Sequence, residues 1–188
     1  MLSTAAIRRR GAASLAYAGG IILFAAFTAL SARIVILLPF TPVPVTLQVI
    51  AVLLAGLMLG SRAGAMSQIV YLAAIAAGLP LDARGLGPVA LVGPTGGYLL
   101  GFVATAFVTG WLAERLAASR NRGGRLVAVL CGVAVVYACG LAWLAPAVGG
   151  LGAAWTLGAA PFVVGDLAKA LLAAAAAESG KWLLPPRV

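Results

Sequence analysis

From Leu126 to Gly165 the chain carries no charged residue. That run is longer than the roughly 20 apolar residues a helix needs to cross a bilayer. Other apolar runs, from Gly11 to Ala32 and from Gly85 to Ala113, reach or exceed the same length. Of the 188 residues 63% are hydrophobic and 9% charged, and the mean hydropathy is +1.11. A soluble domain has about a quarter of its residues charged, because those residues cover its surface. The sequence therefore predicts an all-α polytopic membrane protein, with residues 1–188 forming a single integral membrane domain in contact with the lipid bilayer.

Six spans are expected, at about 17–38, 46–60, 63–78, 94–118, 125–144 and 160–183. Pro39 stops the first, "SRAG" turns the second into the third, and "LPP" at 184–186 ends the last. Proline forbids helix continuation by lacking an N–H and clashing with the preceding turn. The net charge of +9 does not point to nucleic acid, since the basic residues sit between apolar runs. Arg8, Arg9, Arg10, Arg62, Arg115, Arg120, Arg122, Arg125, Lys181 and Arg187 all fall on one side of a six-span drawing. The positive-inside bias makes that side, with both termini, cytoplasmic. "RRR" before an apolar stretch imitates a secretory signal, but the stretch to Leu38 is too long for a signal core, so a retained first helix is expected.

Several chemistries lack material. There is no His, and the acids are Asp82, Glu114, Asp166 and Glu178. Cys131 and Cys139 fall in one helix about 12 Å apart, too far for a disulfide. No metal site, nucleophile or phosphate-binding loop can be assembled. The chain is not expected to be an enzyme or to hold a cofactor.

The outer loops "LPFTPVPVTLQ" at 38–48 and "GLPLDARGLGPVALVGPTGGY" at 78–98 are rich in Pro and Gly. Irregular backbone of this kind cannot face lipid and must be buried in protein or line a cavity. They form either a pocket rim or tight connections only. "PFVVGDLAKALLAAAA" at 161–176 places Asp166 and Lys169 three residues apart on one helix face. Each charge at mid-bilayer costs about 2.5–3.5 kcal/mol on insertion scales. The pair either ties the last helix into the bundle or faces a cavity, which intramembrane ionisable residues usually mark. Arg84 stands alone as a basic residue in an outer loop, against the charge bias, as a ligand contact or as a partner of Asp82. Arg33 can snorkel to the interface. Ala25 and Ala29 in "AAFTA" make a small-xxx-small pair, which permits close helix approach.

"TPVPVTLQVIAVLLAGLMLGSRAGAMSQIVYLAAIAAGLP", then "GPTGGYLLGF", then "PFVVGDLAKA" resemble the biotin-specific S component of energy-coupling-factor (ECF) transporters, the BioY family. The resemblance covers most of residues 20–178. It implies a six-helix bundle in a bacterial cytoplasmic membrane that binds biotin on its extracellular side and is energised by a T component and two ATPases. It also implies biotin-binding roles for Asp166 and Lys169 of the last motif and for Arg84 in the loop after helix 3. Ala25 and Ala29 match a motif that docks on the T component. Self-association into a homo-oligomer is compatible with this picture. Biotin has an apolar bicycle and chain, a ureido group and a carboxylate. Val43, Val45 and Tyr98 are expected to cover its rings, with Thr46, Gln48 and Tyr71 as further lining candidates. The competing readings are an S component for thiamin or riboflavin, a structural membrane protein without a ligand, and a proton-coupled carrier. Thiamin should require more acid and aromatic cage than one Asp offers, and a carrier would show internal repeats.

Overall fold

The computed structural model describes residues 4–116 and 122–179. Helices dominate: α1 Thr4–Ser31, α2 Gln48–Leu59, α3 Ser61–Ala76, α4 Val89–Val92, α5 Gly96–Leu116, α6 Arg122–Val148, α7 Leu151–Gly158 and α8 Val163–Ser179. Between α1 and α2 lies a two-stranded antiparallel ribbon, β1 Val35–Ile36 and β2 Val45–Thr46. Its register pairs Val35 with Thr46 and Ile36 with Val45.

Helix α5 is central, packing against α2, α3, α4 and α6. Its small residues make that contact close. A Cβ on Gly97 would strike the Trp143 side chain, and one on Gly101 would lie 2.7 Å from Cys139 Cβ. Gly110 serves the other neighbour, since a Cβ there would lie 2.5 Å from the main-chain nitrogen of Ser61. Small residues are what let membrane helices approach, because lipid supplies no hydrophobic push between them.

The helix limits differ from those expected in instructive ways. Helix α1 ends at Ser31, not near Leu38, because the β-branched run Ile34–Ile36 finds an extended partner in β2. Helix α6 continues past residue 144, with Pro146 inside its last turn. A segment expected to be loop forms α7, which meets α8 at a 60° bend. Pro161, which can donate no helix hydrogen bond, stands in the break. Among the described residues three helices are long and apolar enough to cross a membrane: Ser14–Ser31, Gly96–Leu116 and Gly123–Val148, with the α7–α8 pair a bent fourth. Helices α2 and α3 have 12 and 16 residues, about 18 and 24 Å, short of the ~30 Å hydrocarbon thickness. Three of the basic residues expected on the cytoplasmic side, Arg120, Lys181 and Arg187, lie outside the described residues.

The end of the bundle where α5 finishes is closed by polar contacts. Glu114 accepts from the main-chain nitrogen of Ser61 at 2.7 Å and from its hydroxyl at 2.9 Å. These bonds satisfy donors at the start of α3 that have no partner within the helix. Arg62 and Arg115 stand exposed beside this cap. The irregular loops gather at the opposite end, where α5 begins.

A polar pocket beneath the loops

A cavity of about 730 Å³, counting its open mouth, lies at the loop end. Its walls come from β2, α2, the 82–86 loop, α5, α6 and the start of α8. Of the residues singled out in the sequence, Val43, Val45, Thr46, Gln48, Arg84, Tyr98, Asp166 and Lys169 all line it. Tyr71 does not. It stands behind the wall, fully buried, with its hydroxyl 2.8 Å from the Gln48 side-chain nitrogen.

Asp166 sits in the first turn of α8, where the unpaired N–H groups of the helix start favour a negative charge. Its Oδ1 accepts from Lys169 Nζ at 2.8 Å, one turn along the same helix. Its Oδ2 accepts from the Tyr137 hydroxyl of α6 at 2.6 Å. Lys169 Nζ also donates to the Thr46 carbonyl at 2.7 Å. The pair thus ties α8 to α6 and β2, and it also borders the cavity. An ammonium has three N–H donors, and these two bonds leave one for a ligand.

Much of the remaining wall is apolar and aromatic and includes Phe102, Phe162 and Tyr98. Tyr98 is fixed by donation to the Gly158 carbonyl at 2.8 Å. It lies against Gly140 and Gly158, where any Cβ would collide with its ring or hydroxyl.

Two arginines tie the loops together at this end of the bundle. The Arg84 guanidinium donates to the Pro42 carbonyl at 2.7 Å, and that of Arg33 donates to the Pro80 carbonyl. Asp82 is not the guanidinium's partner, as the sequence alternative had it. Its buried carboxylate accepts from the main-chain nitrogens of Arg84 at 3.0 Å and Gly87 at 2.7 Å, shaping the loop from within. The outer loops are therefore pocket rim and not mere connections.

Tyr137, Phe102, Phe162 and Thr95 were not singled out from the sequence. A signal existed for Tyr137, a polar-tipped ring in the middle of an uncharged span, where a buried hydroxyl requires a partner. Ala25 and Ala29 are buried at 7% and 9%, in one cluster with Val52, Tyr71 and Ile75. Their close approach serves the chain's own bundle. The face that α1 turns outward carries Leu23, Ala26, Phe27 and Leu30. No group of three His, Cys, Asp or Glu among the described residues could hold a metal ion.

Comparison with known proteins gives a consistent result. The model of the family described as BioY matches residues 8–185. The chain is 39% identical over 180 residues to the biotin transporter BioY of Rhizobium etli, covering 85% of this chain and 95% of that protein. It is 39% identical over 157 residues to a probable biotin transporter BioY of Pyrococcus horikoshii, covering 83% and 90%. Among solved structures it resembles the S component for biotin from an ECF-type ABC transporter. There the TM-score is 0.82 at 28% identity, with 90% of this chain and 94% of that one covered.

Proposed function

The chain belongs to the BioY family, and on that premise we propose that it captures biotin for uptake across the cytoplasmic membrane of a bacterial cell, as the S component of an ECF transporter. The observation that carries this reading is the pocket's composition: the Asp166 carboxylate and the Lys169 ammonium, paired at a cavity whose wall is largely apolar and aromatic, with Gln48 and Arg84 as further polar groups. Biotin needs such a combination. Its ureido N–H groups require an acceptor, and a bond to an ionised carboxylate is about twice as strong as a neutral one. Its ureido oxygen requires a donor, which the remaining Lys169 N–H supplies. The bicycle and chain require the apolar walls. The acidic tail would leave through the mouth, toward the guanidinium of Arg84.

The loop end faces outward in this reading, and the end with Arg62, Arg115 and Arg125 faces the cytoplasm, together with both termini. Helices α2 and α3 then cross as shorter members of a six-span bundle, shielded by neighbours. The 188 residues contain no G-x-x-x-x-G-K-[ST] sequence, in keeping with reliance on partners, a T component and two ATPases, or on facilitated movement. Docking of a T component along α1 would use the outward face around Ala26, beside the buried Ala25 and Ala29. Biotin is favoured over thiamin because Asp166 is already paired with Lys169 and the Asp82 carboxylate is taken up by main-chain nitrogens of its own loop, which leaves little free acid for a cationic vitamin.

Equilibrium binding to the purified chain in lipid nanodiscs tests this. Saturable biotin binding, competed poorly by thiamin and riboflavin, is expected. Preference for either competitor over biotin would refute the assignment.

A further inference from the structure

Gln48 is 97% removed from solvent, at 3% exposure, yet lines the cavity. Its side-chain nitrogen donates to the Tyr71 hydroxyl at 2.8 Å, and that hydroxyl donates in turn to the Leu81 carbonyl at 3.2 Å. The side-chain carbonyl oxygen, Oε1, accepts from no described residue. The direction of this chain of bonds is fixed from its far end. A main-chain carbonyl can only accept, so the hydroxyl must give its proton to Leu81. The hydroxyl can then only accept from Gln48, which must turn its NH2 group toward Tyr71. Reversing the amide would deprive the Leu81 carbonyl of its donor. An unmade bond to a buried polar group is costly. The acceptor end of the amide is thereby left for the cavity.

We propose that Gln48 is a second acceptor for ligand N–H groups, complementing Asp166, and that Tyr71 is a positioning residue that sets the polarity of the Gln48 amide. The inference rests on the biotin reading above and adds a specificity device to it. Asp166 and Gln48 reach the cavity from different helices, α8 and α2, so each reads a different one of the two ureido N–H groups. A ring of the same shape lacking either N–H leaves a buried acceptor unpaired. Tyr71 touches no ligand in this arrangement. Removing its hydroxyl frees the amide to rotate, and an NH2 group then faces the ligand's own N–H.

The test uses the full chain in nanodiscs and three ligands: biotin, and biotin methylated on one or the other ureido nitrogen. The native protein is expected to bind biotin about tenfold or more tightly than either analogue. In Gln48→Met and in Tyr71→Phe, biotin binding should weaken about five- to tenfold. The preference over one analogue should vanish while the preference over the other, read by Asp166, stays. Tyr71→Phe keeps the ring and its packing, so a purely structural role for Tyr71 would weaken all three ligands alike. Undiminished discrimination against both analogues in Gln48→Met overturns the inference, and that variant decides it if Tyr71→Phe fails to fold. Undiminished discrimination in folded Tyr71→Phe overturns the positioning role. A native chain that does not bind biotin overturns instead the reading on which both rest.

Discussion

The Tyr137 hydroxyl and the Lys169 ammonium each hold one oxygen of Asp166, at 2.6 and 2.8 Å. Both oxygens are thus engaged by the chain itself, yet each retains a second lone pair. The carboxylate is oriented in advance, with room for a ligand N–H to join it without displacing either donor. Preorganisation of this kind reduces the ordering cost of binding.

Asp166→Asn replaces one of those oxygens by an NH2 group that must face an existing donor. It also leaves the Lys169 charge without its counterion at a site that is 13% exposed. Biotin affinity should fall by more than about 2 kcal/mol, roughly 30-fold. Isothermal titration of the purified variant measures this, and native affinity would remove Asp166 from the binding site.

Tyr137→Phe deletes a single hydroxyl and its bond to a charged group. Such bonds contribute about 1.5–3 kcal/mol to stability; because this one is already made in the free protein, only the lost orientation of the carboxylate reaches the ligand, and affinity should drop several-fold while the apolar walls persist. A Tyr137→Phe chain that binds like the native one would mean that Lys169 alone suffices to aim the carboxylate.

Arg84→Ala removes the tie to Pro42. The guanidinium is exposed, so stability should change by less than about 1 kcal/mol. The dissociation rate of bound biotin should rise several-fold, as loosened rims act mainly on release. Stopped-flow release with excess unlabelled ligand gives this rate, and an unchanged value would show that the rim does not restrain the ligand.

Gly110→Ala inserts a methyl 2.5 Å from the Ser61 nitrogen and 2.6 Å from the Gly60 carbonyl carbon. Backbone must move, at about 1–3 kcal/mol. A lowered thermal midpoint is expected both without biotin and with it. An unchanged midpoint would mean that α5 and the α2–α3 turn lie farther apart than described.

Ala26→Trp, on the outward face of α1, should leave biotin binding intact and block uptake with a T component and its ATPases. Ala25→Trp should instead impair folding, because Ala25 packs against the chain's own core. Full uptake by Ala26→Trp would place docking elsewhere.

How much of this was legible beforehand follows the physics of each signal. Asp166 and Lys169 stood out because charge inside an apolar run is costly and has few explanations. Val43, Thr46, Gln48, Tyr98 and Arg84 reached the pocket as expected because the proline- and glycine-rich loops cannot face lipid. The ends of α1 and the presence of α7 were hidden. Val35 and Ile36 read equally well as membrane helix or extended chain, and only their pairing with β2 decides. Residues 151–158 carry no charge and no cap, so nothing local separated a helix from a loop. Tyr71 reads as a lining residue in the sequence but stands behind the wall, since the sequence locates it on a helix and not at a depth. The inward facing of Ala25 and Ala29 was equally hidden, because alanine suits a close contact inside the bundle as well as one outside it.

The two arginine ties among the loops finish on carbonyls that belong to the main chain at Pro42 and Pro80. Replacing either proline alters the path of its loop but leaves the accepting oxygen where any residue would have one. Only the arginine half of each clasp is open to mutation. Substitution scans should therefore register this rim one-sidedly, at positions 33 and 84, and underrate the partners to which those residues are fastened.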